Sequence, residues 1–463
     1  MRLISPQRRL TIHAFCYEVS MGKSISTTGV AVIGCGTVGG AAATLLTRDC
    51  DLIAERLGAK LELRHIVDLD FSHARELGLD EKLFRDDLND ALGDEKVSVV
   101  VELIGGIDNA RKVIEQALRA GKHVVTANKA LLAHHGAELM ALARENGVCI
   151  GFEASCGGGI PIIRSLVDGL IANRIDAMFG IVNGTCNYIL TAMTRQGAGY
   201  AETLAQAQQQ GLAEADPTLD VSGGDSAHKL AIMAALAFGK RVDFDAIPVE
   251  GIDTLQACDV AYGQELGYVI KLLAIAERRS DGISLRVRPA FISSEHPLAW
   301  VSGPFNAVSV YGHATGHTMY YGRGAGDMPT GSAVVADIAS VATGTAQRQF
   351  ERLKLWPDLT PPAEQLPAEA VRSRYYLRMM AQDRPGVLAQ VASVLGRHDI
   401  SIRSVLQHEP PAAADADGVP VVITTHSAGE GDVRSAIAEV DALDVIKAPT
   451  VCIAIVDEHP EDL

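Results

Sequence analysis

Residues 30–46 constrain the fold more than any other stretch of the chain. Val30-Ala31-Val32-Ile33 is a short apolar run, Gly34-Cys35-Gly36-Thr37-Val38-Gly39 follows it, and the small and apolar residues Ala41 to Leu46 come next. That order specifies a buried strand, a tight turn and a helix. Glycines at this spacing close the turn and let backbone N–H groups approach a pyrophosphate at the helix N-terminus. Gly34, Cys35, Gly36, Thr37, Val38 and Gly39 are therefore candidate dinucleotide contacts. A bare G-x-G-x-x-G can also be a plain turn, but its place between strand and helix, at the head of an alternating region, favours the cofactor reading.

Apolar runs at Leu61–Leu69, Val97–Ile104, His123–Thr126 and Val148–Phe152 read as buried parallel strands, and the segments between them have helical length. A doubly wound, Rossmann-type α/β domain over residues 29–150 is expected, completed by a helix near 330–345. Beyond residue 151 the alternation gives way to Gly-rich loops, helices and a strand-rich stretch from Ile283 to Tyr321, an α+β catalytic and dimerisation domain over 151–329. Trp356 to Pro367 carries four prolines and little periodicity, so residues 350–372 read as a linker. Over residues 373–458 the order is βαββαβ, with Asp383-Arg384-Pro385-Gly386 as the first turn and Val387, Leu388, Val391, Val394 and Leu395 at helical spacing.

Composition narrows the function. A chain of 463 residues, 48% hydrophobic and 21% charged, has material for several cores. Its formal net charge of −16 disfavours nucleic acid and anionic membrane surfaces as partners. The longest apolar run, Leu230–Phe238, is about half of a membrane-spanning helix. Eight scattered cysteines without a C-x-x-C pair indicate neither a zinc site nor a disulfide framework, and a reducing cytoplasm fits them. Residues 1–28 imitate a signal peptide, but His13 and Glu18 interrupt the apolar stretch. A disordered extension is expected there, with Met21 as an alternative start.

Two further regions carry chemistry. The second strand ends in Val67-Asp68-Leu69-Asp70, where a carboxylate would accept hydrogen bonds from ribose hydroxyls and repel a 2′-phosphate. Asp68 or Asp70 thus favours NAD over NADP, unless either simply caps the next helix. Farther on, Gly211-Leu212-Ala213-Glu214-Ala215-Asp216-Pro217-Thr218-Leu219-Asp220 leads to Gly223-Gly224-Asp225-Ser226-Ala227-His228-Lys229. Asp225 and Lys229 lie four apart on one helical face, and the acidic stretch before them would suit an ammonium-bearing substrate. The plain alternative is an N-capping Asp225 with a solvent-exposed ion pair.

Read together, V-E-L-I-G-G, G-K-H-V-V-T-A-N-K-A-L-L-A, F-E-A-S-C-G-G-G-I-P-I-I, I-V-N-G-T-C-N-Y-I-L-T-A-M, A-E-A-D-P-T-L-D-V-S-G-G-D-S-A-H-K-L-A-I and Y-G-R-G-A-G-D-M-P-T resemble the homoserine dehydrogenases from Val30 to Val341. The resemblance implies interconversion of L-homoserine and L-aspartate 4-semialdehyde by hydride transfer with NAD or NADP. It implies Lys229 as acid/base, Asp225 and Asp220 in the substrate cluster, Glu214 on the homoserine amino group, and Lys129 between nicotinamide and reacting oxygen. Gly105, Gly211 and Gly326 match positions lining the cofactor site. A monovalent cation, Na+ or K+, is implied in the Gly-rich turn, held by the Glu153 side chain and the carbonyls of Cys156, Gly158 and Ile160.

The sequence departs from the family pattern at Cys156, usually an apolar residue such as valine, and at Cys186, where N-G-T-T-N-Y would be usual. The D-R-P-G-V-L segment is similar to ACT domains, which pair across chains and bind an amino acid. Asp383, Gly386 and Val387 are the implied effector contacts, L-threonine the implied effector, and a homodimer or homotetramer the implied assembly. Two rivals remain: a semialdehyde dehydrogenase using Cys156 as nucleophile, and a catalytically silent ACT-type amino-acid sensor.

Overall fold

The computed structural model describes residues 26–352, 358–408 and 418–460. The expected extension, apart from its last residues, and part of the expected linker lie outside the described residues. Six parallel strands, β1 (Ser26–Ile33), β2 (Ala59–Val67), β3 (Phe84–Arg85), β4 (Val97–Glu102), β5 (His123–Thr126) and β6 (Ile150–Gly151), form one sheet in the order β3-β2-β1-β4-β5-β6. Val30, Val32, Val99 and Val101 are buried because helices cover both faces, which is why these strands read as continuous apolar runs. The chain reverses its winding between β1 and β4, which places a crevice at their C-terminal ends. The helix Thr37–Arg48 packs on this sheet through Ala42, Ala43 and Leu46, and the late helix Asp327–Ala342 returns to it through Val334, Ile338 and Val341. The last strand is shorter than expected: from Phe152 the chain turns into Glu153–Ser155, which ends its pairing.

Ten strands form the second sheet: β7 (Ile175–Ile181), β8 (Tyr268–Arg279), β9 (Gly282–Ser293), β10 (Phe305–Gly312), β11 (Gly316–Arg323), β12 (Arg372–Ala381), β13 (Ile402–Gln407), β14 (Val419–Thr425), β15 (Ala428–Gly429) and β16 (Ile446–Ile455). The order is β11-β10-β7-β8-β9-β16-β12-β14-β13, with β15 beside β12. The helices Gly184–Gln196, Gly224–Phe238 and Ala257–Glu265 contribute Ile189, Leu190, Leu230, Met233 and Val260 to a core with Met178, Leu272 and Phe291. Mixed α/β architecture is thus what the periodicity predicted.

From β12 onward the order is βαββαβ, built with the helices Val387–Arg397 and Glu430–Asp441, plus the short β15. Its core holds Tyr375, Leu377, Val391, Leu395, Ile423 and Val433. This unit is not tethered loosely. β16 pairs in parallel with β9 through Ala454↔Ala290 and Ile455↔Phe291. Arg378 donates to Asp259 at 2.6 Å, and Arg288 donates to both Glu430 at 2.7 Å and Glu250 at 2.8 Å. The described part of the expected linker is also bound down, since Ala363 N–H donates to the Arg241 carbonyl at 2.8 Å and Leu366 N–H to the Ile283 carbonyl at 2.9 Å. Its prolines suit an extended strip whose remaining N–H groups find partners on β9 and its surroundings.

Candidate active site

The Gly-rich turn sorts its glycines by geometry. Gly34 has φ +90°, and a Cβ there would stand 2.8 Å from the Leu103 carbonyl; a Cβ on Gly39 would stand 1.9 Å from the Gly34 carbonyl oxygen. Both positions are closed to side chains by packing. A Cβ on Gly36, in contrast, would meet nothing within 4 Å. Gly36 precedes the helix of Thr37 and Val38, whose first N–H groups have no side-chain cap. An open approach to uncapped N–H groups is what an anionic pyrophosphate requires.

Asp68 lies where the ribose-reading carboxylate was expected. Its Oδ2 accepts the Cys35 N–H at 2.5 Å, and its Oδ1 accepts the N–H groups of Leu69 and Asp70. Asp70 instead accepts from the Ser72 N–H and hydroxyl, at 2.9 and 2.6 Å, and so serves the next short helix. On the other side of the crevice Gly105 and Gly106 both have positive φ. Asn128 donates to the Gly106 carbonyl at 2.6 Å and accepts the Leu131 N–H, tying this loop to the helix Lys129–Glu145. Glu102, buried at the end of β4, accepts from the Thr126 hydroxyl at 2.7 Å and the Ile104 N–H at 2.9 Å. Burial raises its pKa, with those donors opposing. Glu102 and Asn128 brace the loop, a role not read from the V-E-L-I-G-G and T-A-N-K segments.

The charged cluster forms where three helix starts meet. Lys229 Nζ donates to Asp225 Oδ2 at 2.7 Å and to the Val182 carbonyl at 2.7 Å, and Lys129 Nζ lies 3.1 Å from Asp225 Oδ1. Asn183, on the turn after β7, donates to Asp220 Oδ1 at 2.7 Å and Asp225 Oδ2 at 2.8 Å. Burial works to raise the Asp225 pKa, yet Lys229, Lys129 and Asn183 hold it well below the carboxylate range. For Lys129, burial lowers and Asp225 more than restores, so its pKa is raised. The plain alternative, an N-capping Asp225 in an exposed ion pair, does not hold: Gly223 with φ +88° is the cap, and Asp225 is only 4% exposed. His228, one residue from Lys229, stacks on Phe244, and burial, with the nearby His134 and lysines, lowers its pKa to about 4.

Other expected contacts are more dispersed. Glu214 is exposed on its loop and has no ion pair among the described residues; Gly211 is exposed with φ +69°. Gly326 caps the helix Asp327–Ala342 with φ +121°. At the expected cation site the Glu153 carboxylate accepts the N–H groups of Ile163 and Arg164, each at 2.9 Å. The Ile160 carbonyl accepts the Ile162 N–H at 2.8 Å, and Gly158 sits tightly against Gly324. Cys156 is buried and its thiol pushed up to about 12, with Ser155 and the Lys229 carbonyl as its contacts. It lacks the activating base a nucleophile needs. Asp383 and Gly386 are exposed and Val387 buried at the opening of its helix. A cavity of about 270 Å³ lies farther along the helix Gly224–Phe238, lined by Met140, Ile163, Ala235 and Leu236 and by neither Asp225 nor Lys229. The charged cluster, not that cavity, marks the chemistry.

A dinucleotide crevice that opens onto paired lysines and carboxylates, with no activated nucleophile among the described residues, defines a nicotinamide-dependent oxidoreductase. Family models match at residues 34–153 (homoserine dehydrogenase, NAD binding domain), 161–339 (homoserine dehydrogenase) and 375–444 (ACT domain). The homoserine dehydrogenase of Pseudomonas aeruginosa is 44% identical over 430 residues, covering 92% of this chain and 98% of its own. That of Neisseria gonorrhoeae is 42% identical over 434 residues, covering 93% and 99%. The crystal structure of a homoserine dehydrogenase from Thiobacillus denitrificans superposes with a TM-score of 0.88 at 42% identity, covering 94% of this chain and all of that one. A hyperthermophilic archaeal homoserine dehydrogenase in complex with NADPH gives 0.56 at 26% identity, over 68% and 97%. The chain belongs to the homoserine dehydrogenase family: it is an NAD(P)-dependent oxidoreductase interconverting L-homoserine and L-aspartate 4-semialdehyde, with a C-terminal ACT domain.

Proposed function

We propose that Lys229 is the proton-transferring group of this reaction, and the observation that carries it is the buried contact of Lys229 with Asp225 and Val182. An ammonium has three N–H donors. Two are engaged, by the Asp225 carboxylate and the Val182 carbonyl, which leaves one for the substrate oxygen. The bound nicotinamide supplies or accepts the hydride at the substrate carbon. In reduction Lys229 gives its proton to the carbonyl oxygen; in oxidation, as the neutral amine, it takes the hydroxyl proton. Lys129, anchored by Asp225 from the cofactor side, stabilises negative charge on that oxygen. Asp220 and Asp225 orient the substrate, and Glu214 meets its amino group. Lys229→Ala should lower turnover by roughly two to four orders of magnitude while cofactor binding persists. Retention of more than about a tenth of turnover would move the role to Lys129.

The finer readings rest on smaller observations. The Asp68 carboxylate stands against the turn at Cys35, and Arg75, the cation that could offset a 2′-phosphate, is already paired with Glu81 at 3.3 Å, which supports NAD over NADP. A tenfold preference for NADP in kcat/KM would reject it. A Na+ or K+ ion in the Gly-rich turn, held by the Glu153 side chain and the carbonyls of Cys156, Gly158 and Ile160, is the proposed cation, and its exchange for a bulky organic cation should lower the melting temperature. The uncapped helix start at Gly386, φ +91°, suits an amino-acid carboxylate, and L-threonine is the proposed effector. Gly386→Asp should abolish inhibition and spare basal turnover. Exposed Trp300, Met319 and Tyr321 support a homodimer or homotetramer, to be read by light scattering. The proposed domain limits are those of the sequence reading, and the proposed compartment is the cytoplasm.

A further inference from the structure

The turn joining β7 to the helix Gly184–Gln196 touches both members of the proton-transfer pair. Val182 presents its carbonyl to Lys229 Nζ, and the neighbouring Asn183 sends its amide N–H groups to Asp220 Oδ1 at 2.7 Å and Asp225 Oδ2 at 2.8 Å. Asn183 is 5% exposed. Its own oxygen accepts the Cys186 N–H at 2.8 Å and so caps the helix. That bond settles the amide orientation: the oxygen faces the helix and the NH2 group faces the acids. Thr185 adds a second clamp, donating to the Leu212 carbonyl at 2.8 Å and lying 3.2 Å from Asp220 Oδ2.

We infer that Asn183 is a positioning residue for the reaction, a neutral double donor that holds the buried Asp225 carboxylate beside the half-buried Asp220 carboxylate and thereby aims Lys229. Two carboxylates this close repel, and the repulsion favours protonation of one unless donors stand between them. Asn183 gives each acid one N–H and adds no charge. Asp225 Oδ2 is shared by Asn183 and Lys229 while Oδ1 faces Lys129, so the carboxylate cannot rotate without losing a partner. Because Val182 belongs to the same turn, one short stretch fixes both the direction and the number of donors Lys229 keeps for substrate. The inference rests on the reading of Lys229 as acid/base.

Asn183→Asp tests it with a readout that a purely structural role would not move. Aspartate keeps the size and the acceptor for Cys186 N–H, but sets a carboxylate where two acids need a donor. The charged groups facing this position are Asp220, Asp225, Lys229 and Lys129; the Cys186 thiol stays neutral because burial, with the nearby acids, pushes it well above its ordinary value. Only when one of the three acids carries a proton is a donor restored. The kcat of Asn183→Asp relative to wild type should therefore rise at least tenfold from pH 8 to pH 5.5. Asn183→Ala should lie roughly 10- to 100-fold below wild type at every pH, the scale of a misplaced catalytic group, with cofactor KM unchanged.

Asn183→Ser retains a helix cap but is too short to bridge both acids, so it should melt like wild type and still lose turnover. A flat pH ratio for Asn183→Asp, or at least half of wild-type kcat in Asn183→Ser, overturns the inference. Lys229→Ala, measured in parallel, separates the two readings: if it is inert while the Asn183 variants behave as wild type, only the role of Asn183 falls. If it stays active, the acid/base assignment falls first.

Discussion

Replacing Asp259 by alanine should loosen the ACT unit from the catalytic unit, and the structure sets the size of the effect. Asp259 is fully buried on the helix Ala257–Glu265 and accepts three bonds from β12: Arg378 Nε at 2.6 Å, Arg378 Nη2 at 3.0 Å and the Tyr376 hydroxyl at 2.9 Å. Removing one partner of a buried pair costs about 3–5 kcal/mol, because the other charge stays buried. The orphaned tyrosine hydroxyl adds about 1–3 kcal/mol. Gln256 Oε1, 2.8 Å from Arg378, retains part of the guanidinium's bonding. Since such terms do not add, the expected local loss is about 4 kcal/mol. A chain of several units does not unfold in one step, so the assay is hydrogen exchange at the β12 amides, with thermal melts alongside. Asp259→Leu with Arg378→Met should recover most of the loss, as apolar replacement of a whole buried pair does. A loss under about 1 kcal/mol in the single variant, or no recovery in the double, would refute the reasoning.

Gly36→Ala should fold and melt as wild type while raising the cofactor KM at least about tenfold, since its methyl enters open space meant for phosphate, whereas Gly39→Ala should lose stability against the Gly34 carbonyl. Melting curves and initial rates at varied cofactor separate the two. Lys271 is buried among the Asn187 side chain and the Val301 carbonyl, and burial lowers its pKa to about 8. The folded protein then binds fewer protons than the unfolded chain between about pH 8 and 10.5, so this group makes stability rise with pH across that window. Urea denaturation should show Lys271→Met losing that gain, up to about 3 kcal/mol between pH 7.5 and pH 10. Iodoacetamide at pH 8 should alkylate exposed Cys258 and leave activity intact, because the Cys156 thiol is buried and pushed up to about 12. Stoichiometric inactivation prevented by substrate would restore the cysteine-dependent route.

The nucleotide-binding sheet was legible because its information is local and periodic: Val30–Ile33 and Val99–Val101 are apolar throughout, and the turn glycines stand at fixed spacing. Lys229 and Asp225 were legible as a pair for the same reason, being one helical turn apart. What spacing could not tell is that the pair is buried, since that depends on the β7 turn, which lies 42 residues before Asp225 at Asn183. Asn183 stood in the I-V-N-G-T-C-N-Y segment without a role, and its reach to Asp220 and Asp225 is a matter of tertiary packing. The cation at Glu153 was implied by the resemblance alone, and the two backbone N–H groups that its carboxylate accepts, from Ile163 and Arg164, are likewise a matter of packing that spacing does not show.

The parallel pairing of β16 with β9 turns the C-terminal ACT unit into an extension of the second sheet. Strain applied there has no slack segment in which to dissipate, because Ala454 and Ile455 are hydrogen-bonded into the same pleated surface as Ala290 and Phe291. Arg288, two residues upstream on β9, grips Glu430 of one unit and Glu250 of the other. Just past Glu250, the Ile252 N–H donates to the Val221 carbonyl, next to Asp220. A rotation of the ACT unit must therefore either rupture this junction or be delivered as torque along β9 to the segment that carries the substrate carboxylates. Stiffness at the seam, not flexibility between beads on a string, sets how far a signal from the C-terminal unit travels.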